Sequence, residues 1–370
     1  MGIISQIAGR LNGSSEAYEP GRPIEEVART IGFENPDDII KLASNENSLG
    51  PSPLAVKAMR DDASRMHRYP DGTVFALTRA LASTLRIPPG RLIFGNGSNE
   101  LIDFVGKVFL EPGTGIITAS HTFAFYKLVA DMGRADTIKV PMRRMTHDLD
   151  AMLAAIGPKT RIVFVANPNN PTGTMVSARS LDRFMNRIPP HVLVVLDEAY
   201  VELLPPGMQP DSLKYLEQGR SVIVIRTFSK TYGLAGLRIG YGVATEECVT
   251  LLNRVRQPFN VNAMAQAAAL AALDDKSHVA KTRRMVQSGL AYYGKAFKRL
   301  GLSYVPSVVN FVLVRTGKGR DVFEAMLREG VIVRPMDGYA LPEYIRITVG
   351  TREENERCIR TLARVLGRQR

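Results

Sequence analysis

Cysteine is scarce in this 370-residue chain: there are two, Cys248 and Cys358, and they lie far apart. Two such residues build neither a disulfide framework nor a zinc ribbon, and a reducing cytoplasmic setting fits. Tryptophan is absent and aromatics reach only 7%. The five histidines (His67, His121, His147, His191, His278) show no ligand spacing, so no metal centre is expected. No uninterrupted apolar run approaches the ~20 residues of a membrane-spanning helix, so no membrane association is expected. The opening MGIISQIAGRLNGSSEAYEPG lacks a basic start followed by a long apolar core, and no secretory signal is expected there. G-x-G-x-x-G, G-x-x-x-x-G-K-[ST] and G-x-S-x-G are also missing, which removes the dinucleotide, P-loop and nucleophile-elbow readings.

Acidic residues are the minority charge, 36 Asp and Glu against 48 Lys and Arg, for a net charge of +12. The excess is mostly Arg scattered along apparent helix faces, as in REENERCIRTLARVLGRQR. No basic block is interleaved with aromatics, so no nucleic-acid partner is expected, and small anionic ligands suit the charge better.

Apolar content is ample for a large core: 45% of residues are hydrophobic. Short β-branched runs alternate with helical patterns over residues 46–260: RLIFGNG, TGIITAS, DTIKVPM, TRIVFVANP, HVLVVLDEA, SVIVIRTFS and RIGYGVA. That alternation predicts a large α/β domain with a mainly parallel central sheet. Residues 261–370 change pattern, with a long helical region, the strands SVVNFVLVR, GVIVRPM and YIRITVG, and a closing helix. They predict a smaller α+β domain. Residues 1–45 read as an N-terminal arm packing on the small domain or on a partner.

Several chemistry-bearing residues follow predicted strands, where open α/β sheets collect ligands. In RTFSKTYGLAGLRIGYG, Lys230 sits among small hydroxyl residues and Arg238 follows in a glycine-rich stretch. Hydroxyls, backbone amides and a guanidinium make a phosphate cup, and a lysine at its lip can form a Schiff base with a carbonyl cofactor. Asp197 ends the apolar run of VLVVLDEAY. A lone buried carboxylate is costly, and a protonated pyridine nitrogen would offset that cost. Tyr200, three positions on, can donate to a ring oxygen. Asn170 sits in the rigid loop ANPNNPTG, and Phe123 in SHTFAFY can stack on a ring. Ser98 and Asn99 open a predicted helix, where an anion is favoured, although Ser98 also reads as a plain N-cap. Arg334 in VIVRPM and Arg346 in YIRITVG lie in apolar strands, so each needs an anion or a salt bridge. Tyr69 in HRYPDG is expected to be exposed, which suggests a contact surface for a second subunit.

Taken together these residues resemble the fold-type I transferases that depend on pyridoxal 5'-phosphate (PLP), and most closely the histidinol-phosphate aminotransferase family. The resemblance covers nearly the whole chain: YEPGRP, KLASNENSLGPSP, HRYPDG, GNGSNE, NPNNPTG, DEAY, RTFSKTYGLAGLRIGY, VIVRPM and RITVGTREEN. It implies that Lys230 links covalently to PLP, that Asp197 pairs with the ring nitrogen, and that Asn170 and Tyr200 contact the ring oxygen. Ser98, Asn99, Thr227, Ser229 and Arg238 would surround the phosphate, and Phe123 would stack on the ring where several members carry Tyr. Arg346, Arg334, Asn47 and Tyr18 would bind substrate. Tyr69 would reach into the partner's site, making a homodimer obligatory. The implied reaction moves an amino group between L-histidinol phosphate and 2-oxoglutarate. An aromatic amino-acid aminotransferase and a PLP-dependent phospho-amino-acid decarboxylase remain as alternatives.

Overall fold

The computed structural model describes residues 21–368. Along the chain run β1 (Ile40–Lys41), β2 (Leu92–Gly95), β3 (Gly115–Ala119), β4 (Asp136–Val140), β5 (Thr160–Ala166), β6 (Leu193–Asp197) and β7 (Val222–Thr227). They are followed by β8 (Gly240–Val243), β9 (Tyr304–Val305), β10 (Phe311–Arg315), β11 (Val331–Ile332), β12 (Arg334–Pro335) and β13 (Tyr344–Thr348). The seven strands expected in the first part of the sequence form one sheet, ordered β2-β8-β7-β6-β5-β3-β4. Only β8 runs antiparallel to its neighbours.

Apart from the largely exposed edge strand β4, the strands are buried on both faces, and alternation decides which face each side chain takes. Val163, Val165, Val194, Leu196, Val222 and Val224 enter one core. Their neighbours Ile162, Phe164, Leu193, Val195, Ile223 and Ile225 enter a second core on the opposite face. Two helical layers therefore sandwich the sheet, which makes this an α/β fold as the sequence pattern predicts.

This topology gathers strand ends at one edge. Ala166 pairs with Asp197, and Asp197 with Ile225. Because β8 is reversed, its first residue Gly240 pairs with the last residues of both neighbours, Gly95 and Thr227. The segments that follow β2, β5, β6 and β7, and the one that precedes β8, thus meet at a single edge.

A four-stranded antiparallel sheet, β12-β13-β10-β9, and the parallel pair β1-β11 form a second unit. Its core takes Val27, Ala28, Ile39, Leu42 and Ala43 from the N-terminal segment, together with Phe323, Met326, Ile347 and Leu362. The helix Arg352–Val365 starts on a capping box in which Thr351 and Glu354 bond each other's backbone, so the TREEN of the sequence serves helix initiation.

One assignment needs correction. The Ala-rich helix Ala263–Asp274 was expected to belong with the C-terminal unit. Its Ala265, Ala268, Ala269, Ala272 and Leu273 are instead buried in the core of the large sheet. Methyl-sized side chains let it lie close against the helix Pro53–Asp62, which a bulkier face would prevent. The next helix, Lys276–Arg299, spans both units: Val286 packs with Tyr200 and Phe311, and Tyr293 and Phe297 lie in the second core. No helix among the described residues is long and apolar enough to cross a membrane.

Candidate active site

At the gathered edge lies a cavity of about 270 Å³. Its lining includes Ser98, Asn99, Phe123, Asn170, Asp197, Tyr200, Thr227, Ser229, Lys230, Arg238, Arg334 and Arg346. All of these are residues singled out by sequence.

Lys230 stands three residues beyond the end of β7. Its Nζ donates to the Ser44 carbonyl at 3.1 Å and lies 5.8 Å from the centre of the Tyr200 ring. Burial pulls its pKa down to about 8, with Arg346 and Arg238 lowering it further and Glu46 and Asp197 opposing. A lysine in that range releases its proton far more readily than an ordinary lysine and supplies a neutral amine from about pH 8 upward.

Asp197, the last residue of β6, is 6% exposed. Tyr126 Oη donates to its Oδ2 at 2.7 Å, and the Ala199 N–H to its Oδ1 at 3.1 Å. Burial raises its pKa, while those two hydrogen bonds hold it back. Asn45 Nδ2 donates to Tyr200 Oη at 3.0 Å. Burial also raises the pKa of the Tyr200 phenol, with Arg346 and the Asn45 bond opposing.

Hydroxyls and a guanidinium gather after β7. Thr227 Oγ1 donates to Ser229 Oγ at 2.9 Å, and Arg238 Nη1 donates to Ser229 Oγ at 3.4 Å and to the Ala235 carbonyl at 3.1 Å. Opposite, Gly97 precedes the helix Ser98–Phe109 with φ +80°. A Cβ on Gly97 would lie 2.3 Å from an Arg238 nitrogen, and one on Gly240 would lie 2.7 Å from the Ser98 nitrogen. Two glycines therefore let a helix N-terminus, two hydroxyls and a guanidinium converge, an arrangement suited to a phosphate dianion.

Arg346, on β13, is 5% exposed. It donates to Asn170 Oδ1 and, at 2.7 Å, to the Ala43 carbonyl, and it lies over the Phe311 ring at 5.2 Å. Its Nε is buried with no hydrogen-bond partner among the described residues. Arg334, on β12, pairs in register with Arg346 and shares the cavity wall. Two guanidiniums in one cavity wall are able to bind an anionic ligand.

Two expected residues, Asn47 and Tyr69, lie elsewhere. Asn47 is not in the wall: its Nδ2 donates to the Thr231 carbonyl and to Thr282 Oγ1, both at 3.0 Å, tethering the segment after Lys230 to the long helix. Asn45 faces Tyr200 instead. Tyr69 is 83% exposed and stacks on Phe259, with ring centres 4.8 Å apart, away from this chain's own cavity. Tyr18 lies outside the described residues.

Sequence reasoning missed Asn45, Glu46 and Tyr126. Tyr126 carries a usable signal only in its closeness to Phe123, whose ring it meets edge-on with centres 5.6 Å apart.

The family model for aminotransferase class I and II matches residues 37–362. A histidinol-phosphate aminotransferase of Akkermansia muciniphila is 49% identical, covering 95% of this chain and 96% of that protein. Histidinol-phosphate aminotransferase 2 of Pseudomonas aeruginosa is 48% identical, covering 94% and 95%. Among solved structures, histidinol-phosphate aminotransferase from Sinorhizobium meliloti, in complex with pyridoxal-5'-phosphate, superposes with a TM-score of 0.87 at 29% identity, covering 94% of this chain and 95% of that one. An L-threonine-O-3-phosphate decarboxylase from Porphyromonas gingivalis shares the fold, with a TM-score of 0.80 at 23% identity. By family model, sequence identity and superposition alike, this chain belongs to the class I and II aminotransferases, within the histidinol-phosphate aminotransferase family.

Proposed function

We propose that this protein is a PLP-dependent aminotransferase that moves an amino group between L-histidinol phosphate and 2-oxoglutarate in histidine biosynthesis. One observation carries the reading: Lys230, Asp197 and the cup of Ser229, Arg238 and Ser98 open on the same cavity. The cavity suits PLP on its own terms. Lys230 Nζ bonds a backbone carbonyl and not a carboxylate, Gly97 and Gly240 let Arg238 and the Ser98 N–H converge on one cup, and Arg346 Nε is buried with no hydrogen-bond partner among the described residues.

Bound there, PLP supplies an electron sink that eases departure of a proton from the carbon bearing the amine. This chain's residues do the rest. Lys230 Nζ would hold the cofactor and, when free, would take up that proton, a task that its pKa of about 8 suits. Asp197 would pair with the ring nitrogen. Tyr200 and Asn170 would bond the ring oxygen, and Phe123 would pack on the ring. Ser98, Asn99, Thr227, Ser229 and Arg238 would hold the phosphate. Arg346 and Arg334 bind the substrate anions, the phosphate of one substrate and the carboxylates of the other.

The protein works as a homodimer in the cytoplasm. Tyr69 and Phe259 present a stacked aromatic pair outward, near the exposed Met66 and Phe75, a surface suited to a second copy. Tyr69 then reaches the cofactor phosphate of its partner.

The test is a donor panel. The protein with added PLP should absorb in the visible, and Lys230→Ala should lose that band. With 2-oxoglutarate as acceptor, histidinol phosphate should give a higher kcat/KM than phenylalanine or tyrosine, with glutamate released. Preference for an aromatic amino acid, or release of CO₂ in place of glutamate, would overturn the assignment.

A further inference from the structure

Tyr126 has no part in the chemistry above, yet its hydroxyl is bonded to the carboxylate on which that chemistry turns. Its side chain is fully buried and borders the cavity. Its Oη donates to Asp197 Oδ2 at 2.7 Å, while the Ala199 N–H donates to Asp197 Oδ1 at 3.1 Å. The ring has no freedom to swing away. It stacks on Phe164 with centres 4.4 Å apart and 8° between planes, and it meets Phe123 edge-on at 5.6 Å.

A carboxylate that can turn about its Cβ–Cγ bond offers its lone pairs in many directions. One held at both oxygens by fixed donors offers the remaining lone pairs in a set direction, and a hydrogen bond to a charged group is among the stronger ones. Burial, together with the charge of Asp197, keeps the Tyr126 phenol protonated, so it acts as a donor. The other titratable groups acting on this pair are Lys230 beyond β7, Glu198 and Tyr200 beyond β6, and Tyr339 ahead of β13.

We propose that Tyr126 is a positioning residue that fixes the orientation of the Asp197 carboxylate, so that it meets the ring N–H of a bound pyridine cofactor. The proposal rests on the PLP reading given above and deepens it. The phenol touches neither substrate nor reacting atoms in this role, and it acts through Asp197.

Tyr126→Phe removes one oxygen and keeps both ring contacts. Losing that donor weakens the hold of Asp197 on the ring proton. Apo Tyr126→Phe should bind PLP about 10–100-fold more weakly than apo wild type. The pH midpoint of the bound cofactor's visible absorption should move up, because the ring nitrogen carries less positive charge. Turnover (kcat) should fall while KM for 2-oxoglutarate stays put. Phe164→Leu is the control: it loosens the packing beneath the phenol but leaves the hydroxyl, so it should lower Tm and leave the midpoint in place. A Tyr126→Phe protein with wild-type PLP affinity and midpoint overturns the proposal alone. A Phe164→Leu protein whose midpoint moves as far as that of Tyr126→Phe overturns it too, by assigning the effect to packing. A wild type that takes up no PLP overturns both this inference and the function on which it rests.

Discussion

Glu198 and Arg226 form a buried ion pair directly behind the residues assigned to the chemistry. Arg226 Nε and Nη2 both donate to Glu198 Oε2, at 2.9 and 2.8 Å, and their side chains are 13% and 1% exposed. Glu198 follows Asp197 and Arg226 precedes Thr227, so the pair ties the end of β6 to the end of β7. Ser212 Oγ closes the carboxylate's other oxygen. Such a pair costs desolvation to form, and breaking it from one side leaves a charge stranded. Arg226→Met should therefore destabilise the protein by about 3–5 kcal/mol in denaturant unfolding. Replacing both partners, Glu198→Leu with Arg226→Met, should recover most of that loss. A single variant as stable as wild type would show that the pair does not hold these strand ends.

Gly97 offers a sharper test of the phosphate cup. Its φ of +80° disfavours any L side chain, and its missing Cβ is the space that the Arg238 guanidinium occupies, 2.3 Å from where that Cβ would be. Gly97→Ala should push Arg238 out of the cup and strain the turn, at about 1–3 kcal/mol of stability. PLP affinity, read by absorbance titration of the apo protein, should fall at least about tenfold, since a bidentate charged contact is lost. A Gly97→Ala protein that binds PLP as wild type does would remove Arg238 from the cup.

Lys230 makes the stability of the apo protein depend on pH in a defined direction. Its folded pKa is about 8, below the ordinary 10.5. Below pH 8 the amine is protonated both folded and unfolded, and folding includes the cost of an ammonium held in the cavity. Between pH 8 and 10.5 only the unfolded chain keeps the proton, so stability rises with pH across that window. Apo Lys230→Met escapes the cost. It should be more stable than apo wild type below pH 8 by on the order of 3 kcal/mol, and the gap should close as pH reaches 10.5. Paired urea titrations at pH 7 and pH 10 read this difference, and a gap that stays constant would mean that the amine is not buried.

Much of this architecture was legible in the sequence because its signals are local. Val- and Ile-rich runs such as LVVLD and VIVIRT have no stable alternative to a doubly covered strand, and several chemistry-bearing residues end one or closely follow one. What stayed hidden depends on tertiary choices. β1 and β9 are two residues long and carry no periodicity. The Ala-rich helix could serve either unit, since small side chains fit any close neighbour. In SNEN, residues 44–47, two asparagines compete for the cavity. Asn45 wins because its backbone takes φ +56°, a left-handed turn that Asn tolerates but no pattern announces. Tyr126 was passed over because an aromatic in a core is ordinary, and only the partner of its hydroxyl distinguishes it.

Tyr69 tests the proposed dimer without reference to its structure. If its ring completes the site of the partner, Tyr69→Ala and Lys230→Ala fail for separable reasons, one lacking the contact it lends and the other lacking its own amine. Each variant alone should be inactive or nearly so. Mixed in equal amounts, unfolded and refolded together, they should form hybrids in which one chain supplies Lys230 and the other supplies Tyr69 to the same site. Random pairing makes half the dimers hybrid with one complete site of two, so about a quarter of wild-type activity should return. The aromatic surface around Tyr69 and Phe259 favours this outcome, because it leaves a ring that is 83% exposed with no other occupant among the described residues. Restored activity requires two chains at one site, since neither variant holds both residues. A mixture no more active than its parts, from proteins that refold to the same size, would confine each site to a single chain and return Tyr69 to the surface.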